Sequence, residues 1–232
     1  MSGEVRTTEM ANARETINKA AQVVQKMKAD AEIRLQLAQA DAVFIVPDYG
    51  RAALIVGGAG GQGVLMTKNG DIWSGPAFYN IGSINIGAAV GGEAGSIAFL
   101  IMSDKAMNGF REENNFSLNA DAGLTIANWS ERGQASAGKG SDVIVWSDTK
   151  GLYGDLALSV TDIFWDDEAN EAYYNQAVSA SNVINGTAKD PLTSNALKSE
   201  FSAFESGSEV GTTPAKKYKT PMNEDKLDSD RN

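Results

Sequence analysis

Residues 53–80 read "ALIVGGAGGQGVLMTKNGDIWSGPAFYN" and set Gly58, Gly60 and Gly63 in the spacing G-x-G-x-x-G directly after an apolar run. That spacing makes a dinucleotide-binding loop only where a strand precedes it and a helix follows, because the free N–H groups of the helix N-terminus hold the pyrophosphate. The strand half is present in Ala52 to Val56. The helix half is missing. Val64-Leu65-Met66-Thr67 leads into Asn69-Gly70, a strong hairpin signal, and Ile72 to Pro76 mixes β-formers with a Gly and a Pro that break helices. Asp71 also comes far too early for the ribose-binding acid expected roughly 20 residues on. The glycines therefore predict strands that bend, bulge or approach closely, and the stretch predicts a hairpin.

Outward from this hairpin, short apolar or alternating runs continue the β pattern. They are Ala42 to Val46, Gly63 to Thr67, Ile72 to Tyr79, Ile84 to Val90, Ser96 to Met102, Phe116 to Leu124, Asp142 to Trp146 and Leu152 to Val160, separated by Gly, Pro, Asn and Asp turns. Helices are expected on both sides. Ile17, Ala20, Ala21, Val24, Met27, Ala31, Ile33 and Leu37 keep helical spacing through residues 8–40, with Thr7 or Thr8 as N-cap. Further helices are expected over Asp104 to Phe110 behind Ser103 or Asp104, over Asp166 to Asn175, and from Asp190-Pro191 onward, with Leu192, Ala196, Phe201 and Phe204 inward and Gly207 as the stop. The fold class is α+β: a mostly antiparallel, glycine-rich β-barrel or sandwich with an N-terminal helix or helices and short C-terminal helices. The segments are 1–40, a helical piece packed on the domain; 41–176, the β-rich domain; 177–206, a helix-bearing extension; and 207–232, a polar, flexible tail.

Composition narrows the chemistry. The 232 residues are 42% hydrophobic, enough for a real core, and contain neither Cys nor His. Thiolate metal sites, cysteine catalysis and a Ser-His-Asp triad at Ser74 are excluded, and the commonest general base is missing. The formal charge is −10. Residues 1–40 hold six basic and five acidic side chains, so the deficit lies in the middle of the chain and argues against nucleic acid. No apolar run reaches the roughly 20 residues of a membrane-spanning helix. "MSGEVRTTEM" has no signal-peptide plan, which fits a cytosolic protein or one that begins after a removed signal.

Four pieces in order, "AVFIVPDYGRAALIVGGAGGQGVLM", "WSGPAFYNIGSINIGAAVG", "DVIVWSDTKGLYGDLAL" and "DDEANEAYYN", resemble the SYLF domain family over roughly residues 35–176. The resemblance implies a non-enzymatic domain that binds phospholipid or phosphoinositide, with actin binding in fungal members and no cofactor. It places basic residues at Arg51, before the glycine-rich strand, and Lys150, before "GLYG", as headgroup contacts. Trp73, Phe78, Tyr79 and Tyr153 would form an apolar rim, although such aromatics are more often core. Lipid-binding eukaryotic members are expected to carry a basic amphipathic N-terminal helix, whereas this one is nearly neutral. Bacterial members are often exported, so the expected compartment is periplasmic or extracellular and peripheral to a membrane, with the cytoplasm as the alternative.

Two further readings remain. Asp166, Asp167 and Glu168, with Asp162 and Glu171, form an acidic cluster that could offer hard oxygen ligands to a metal, but it lacks the D-x-[DN]-x-[DN]-G loop, and acids at a helix start already have a dipole reason. The alternative function is a protein-interaction or envelope-structural module that uses the acidic face and the C-terminal tail.

Overall fold

The computed structural model describes residues 3–50, 60–82, 95–112, 115–118, 123–129, 140–148, 160–191 and 195–208. The strands are β1 Ala42–Tyr49, β2 Gly61–Asn69, β3 Ile72–Ile81, β4 Gly95–Ile101, β5 Phe116–Leu118, β6 Ile126–Asn128, β7 Val143–Ser147 and β8 Val160–Trp165. They form one eight-stranded sheet in the order β5-β8-β3-β2-β1-β4-β7-β6. Among the described residues all strand pairings are antiparallel except β6 with β7. The expected barrel or sandwich is realised as a curled sheet, a half-barrel. Its outermost strands β5 and β6 are three residues each, which keeps the edges short. Predicted strands at Ala52 to Val56 and Ile84 to Val90, and most of Leu152 to Val160, lie outside the described residues.

β1 sits at the middle of the sheet and is apolar on both sides because both its faces are covered. On one face Phe44 meets Phe99, Tyr79 and Phe110 at ring-centroid distances of 5.9, 6.1 and 5.3 Å. Tyr79 continues the cluster to Trp165 at 5.3 Å, and Phe110 to Phe116 at 4.7 Å. Gly63 is required here: a Cβ on it would lie 2.5 Å from the Phe44 ring and 2.9 Å from Val46. The third glycine of the G-x-G-x-x-G spacing thus lets a phenyl ring cross its strand, and β2 begins directly after Gly60, where a nucleotide fold would start a helix.

β2 and β3 pair through Asn69↔Ile72, so the central turn residues are Gly70 and Asp71, one position later than the Asn-Gly signal suggests. Gly70 at φ +64° supplies the positive φ that the first position of a type II′ turn needs. Pro76 is accommodated in an interior strand because the register shifts between Leu65 and Thr67. β3 spends three steps, Ala77 to Ser74, against two on β2, and the bulged residues Gly75 and Pro76 owe no ladder bond.

The helices are α1 Gly3–Lys28, α2 Ala31–Gln39, α3 Asp104–Arg111, α4 Asp167–Tyr174, α5 Ala180–Ile184 and α6 Ala196–Ser208. The predicted single helix over 8–40 is two, because the Asp30 carboxylate accepts from the Glu32 and Ile33 N–H groups and starts α2 anew. Thr7 and Thr8 do not cap: their hydroxyls bond back to the carbonyls of Gly3 and Glu4 inside α1. Ser103 caps α3 as expected. The last helix starts at Ala196 rather than after Asp190, since Asn195 accepts from Lys198 N–H at 2.8 Å while Asp190 pairs with Lys198 instead. Leu197 and Phe201 face inward, Ala196 outward. β6 and α5 carry no pattern long enough for the sequence to announce them.

Replacing Gly63 with Ala should cost about 1–3 kcal/mol in urea unfolding, and Phe44→Leu in the same chain should recover part of that loss, because the two sites share one contact. A second expectation concerns Asp142, which accepts from the Ser103 hydroxyl at 2.6 Å and from Thr125 N–H at 2.8 Å, joining the start of α3 to the segments before β6 and β7. These bonds, Ser103's first, hold its carboxyl below the usual Asp value. Its contribution is therefore fully present above the ordinary Asp range near 4 and is lost as pH falls through the depressed value. Asp142→Asn should destabilise at neutral pH, and the difference from the parent protein should shrink in melts taken at progressively lower pH below about 4.

Candidate functional site

α1 lays Ala13, Ile17, Ala20, Ala21, Val23, Val24 and Met27 against the protein, packing on α4, α6, β1 and β2. Small alanines bring the helix close but bury little area each. Its rim is tied by charge. Lys19 meets Asp48 at 2.6 Å and Glu15 at 2.5 Å, Lys26 meets Asp148 at 2.7 Å, and Lys28 meets Glu200 at 3.0 Å. The Lys19 ammonium is held above its ordinary pKa by the bonds to Asp48 first and Glu15 second. Asp148 also accepts from Ser96 N–H at 2.9 Å, so one carboxylate serves both β4 and the helix. The lysines that a membrane-seeking helix would turn outward are engaged with the protein's own acids.

Beside this helix lies a polar knot. Gln62 and Asn80 stand directly opposite each other on β2 and β3, and both donate to Asp166 Oδ2 at 2.9 Å. The other oxygen of Asp166 caps α4 through Ala169 N–H at 3.0 Å, and Thr16 of α1 donates to Gln62 Oε1 at 2.7 Å. Buried Asn170 completes the join by accepting from Phe78 N–H at 3.0 Å and donating to Phe78 O at 2.8 Å, as a neighbouring strand would. Asp166 is thus committed to a capping and bridging role, while Asp167 and Glu168 are exposed in the first turn of α4, where the helix dipole favours them. Among the described residues no group of three or more acidic side chains is placed to hold a metal ion.

The structure separates the predicted rim residues. Phe78 and Tyr79 are 0% exposed and point to opposite faces of β3, Phe78 toward Tyr173 of α4 and Tyr79 into the Phe44 cluster, where its hydroxyl donates to Phe110 O. Trp73 is buried under α6, stacked on Phe201 at 4.3 Å. Arg51, Lys150 and Tyr153 lie outside the described residues. Ser74 accepts from Asn69 at 2.8 Å. Among the described residues the large apolar side chains that reach solvent are Leu35 on α2, 62% exposed, and Ile72 at the β2–β3 turn, 71% exposed, with Val5 near the start of α1. Lys68 ties the first two neighbourhoods together, since its ammonium reaches Ala38 O of α2 at 3.4 Å and its own strand pairs with β3 at Trp73. The helical spacing through Ile33 and Leu37 leaves Leu35 off the apolar stripe, but no periodicity distinguishes Ile72 from core positions.

Asp166→Ala should lower stability by about 1–3 kcal/mol, because it strips a helix cap and leaves Gln62 and Asn80 without their acceptor. Asp167→Ala should stay within about 0.5 kcal/mol in the same thermal melts.

Comparison with known proteins agrees with this architecture. The family described as "Ysc84: Las17-binding protein actin regulator" matches residues 82–204, more than half of the chain. Protein YSC84 of Saccharomyces cerevisiae is 25% identical over 146 residues, 61% of this chain and 31% of that protein. The SH3 domain-containing protein PJ696.02 of Schizosaccharomyces pombe is 24% identical over 152 residues, 63% of this chain and 35% of that protein. The SH3 domain-containing YSC84-like protein 1 of Rattus norvegicus is 21% identical over 157 residues, 66% of this chain and 46% of that protein. The match thus spans less than half the length of each of these curated relatives. With the half-barrel, its helical cover and the four motif pieces in order, the chain belongs to the Ysc84 family, that of the SYLF domain.

Proposed function

We propose that this chain is a non-enzymatic lipid-binding domain that works at or near a membrane surface. The observation that carries this reading is the two solvent-facing apolar side chains, Leu35 on α2 and Ile72 where β2 turns into β3, on elements joined by the Lys68 contact to Ala38 O. Isolated exposed apolar residues are ordinary, but these two project from adjoining elements, a helix and a hairpin, and exposed Arg34 lies next to Leu35 in the chain. Each would gain up to roughly 1.5–3 kcal/mol on full transfer out of water, enough for reversible contact and too little for stable anchoring. A net charge of −10 and an N-terminal helix whose lysines are paired make attraction to anionic lipid weak. Insertion of apolar side chains, with little salt dependence, is the mode that fits. Arg51 and Lys150 keep their place in the proposal as headgroup contacts, and Tyr153 as an aromatic contact. The apolar contact moves from Trp73, Phe78 and Tyr79, which fill the core, to Leu35 and Ile72. A periplasmic or exported setting belongs to the same proposal.

A second reading is favoured by the family description, in which the matched family is named for Las17 binding and actin regulation. A protein partner, docked through the acidic surface or residues 207–232, would then replace the bilayer.

Co-sedimentation with vesicles of phosphatidylcholine, and of phosphatidylcholine with phosphatidylserine, separates the two. The lipid reading expects binding to both compositions, little changed by salt, and a loss of roughly tenfold or more in the Leu35→Glu, Ile72→Glu double variant. Background sedimentation with both vesicle types, or an unaffected double variant, would overturn it.

A further inference from the structure

A pocket of about 200 Å³ opens between α3 and β5, lined by Lys105, Ala106, Gly109, Phe116, Ser117 and Leu124. The cause of the gap is the side of α3 that faces β5. Met107 and Phe110 enter the core, whereas Ala106 and Gly109, three apart and hence on one face, put little side chain toward β5, and the Phe116 ring packs directly on bare Gly109. Gly109 cannot be enlarged, since a Cβ there would meet the Phe116 ring, 2.8 Å from its Cγ. The floor is apolar: the half-buried Phe116 ring and the buried Leu124 and Ala106. At the rim stands the Lys105 ammonium, one of whose three N–H groups goes to Gly123 O. The carboxylate that feels this charge, Asp142, already accepts from Ser103 and Thr125 N–H. Ser117 adds a hydroxyl at the same rim.

An apolar recess of this size takes one ring or a short alkyl chain, for a cavity of about 150 Å³ lined by Leu, Ile and Phe already admits benzene. A cation and a hydroxyl at its mouth select what such a group should end in. We infer that this pocket is a binding site for small amphiphilic carboxylates, a short alkyl or aryl group held between α3 and β5 with its carboxylate on Lys105. The site is independent of any bilayer contact, so it can stand or fall without the lipid-surface reading.

The test is titration of the full chain with hexanoate, and with 1-hexanol as its uncharged analogue, followed by amide NMR shifts. Hexanoate should give saturable shifts confined to residues 105–109, 116–118 and 124, with a Kd on the order of millimolar. Hexanol should bind roughly three- to fivefold more weakly, the size of a solvent-facing ion pair. Lys105→Gln should abolish that preference while Lys105→Arg keeps it, and Ser117→Leu, which fills the mouth, should weaken both ligands. Both positions reach solvent, so spectra of the free variants verify that the fold is intact. Absence of saturable shifts at these residues in the parent protein, or a hexanoate preference that survives Lys105→Gln, would overturn the inference.

Discussion

The contact between the Phe44 ring and the bare backbone of Gly63 is the constraint on which the remaining architecture depends. β1 is the middle strand, and its ring reaches across β2 only because Gly63 presents no side chain. That reach lets Phe44, stacked on Phe99 of its other neighbour β4, also meet Tyr79 of β3 and Phe110 of α3, so four elements share one aromatic cluster. Edge-to-face and offset contacts of this kind add direction to what area burial alone would leave loose. The small gap between α3 and β5 is a consequence at the cluster's border, where Phe116 packs on Phe110 and Gly109 must stay bare.

The opposite face is closed by polar means as much as apolar ones. α1 contributes an alanine-rich surface, so its position is specified at the rim, by lysines on Asp48, Asp148 and Glu200 and by Thr16 on Gln62. Ion pairs that are partly exposed contribute little each to stability, but they fix the helix's rotation and register. They also consume the positive charge with which the helix could have met anionic lipid. This is why the functional proposal rests on the apolar side chains of α2 and the β2–β3 turn.

Asp166 shows how one side chain can look like a ligand in sequence and be structural in space. Its neighbours Asp167 and Glu168 suggest a metal cluster, yet one oxygen caps α4 and the other receives Gln62 and Asn80. With Asn170 imitating a strand partner for Phe78, the start of α4 is sewn to β3 through side chains as well as through the backbone bond from Asp166 N–H to Phe78 O. Satisfied networks of this kind specify a unique arrangement.

By itself the sequence determined the fold class, the strand that follows the glycine run where a nucleotide fold needs a helix, the β2–β3 hairpin, and the helices behind Ser103 and at Asp166, because period, turn chemistry and caps act over a few residues. The break at Asp30 was written there too, as a capping Asp, but the apolar period runs through it and hides it. The Asn195 start of α6 was obscured likewise by the stronger Asp-Pro signal five residues earlier. Only the tertiary structure decided which aromatic residues are interior and which apolar residues stay outside. Trp73 and Ile72 are adjacent, yet α6 covers one and nothing among the described residues covers the other. It alone decided that Lys26 and Lys28 would spend their charge on acids 122 and 172 positions away. Those pairings follow from strand order and helix docking, which bring distant segments together, and no local pattern encodes a contact of that separation.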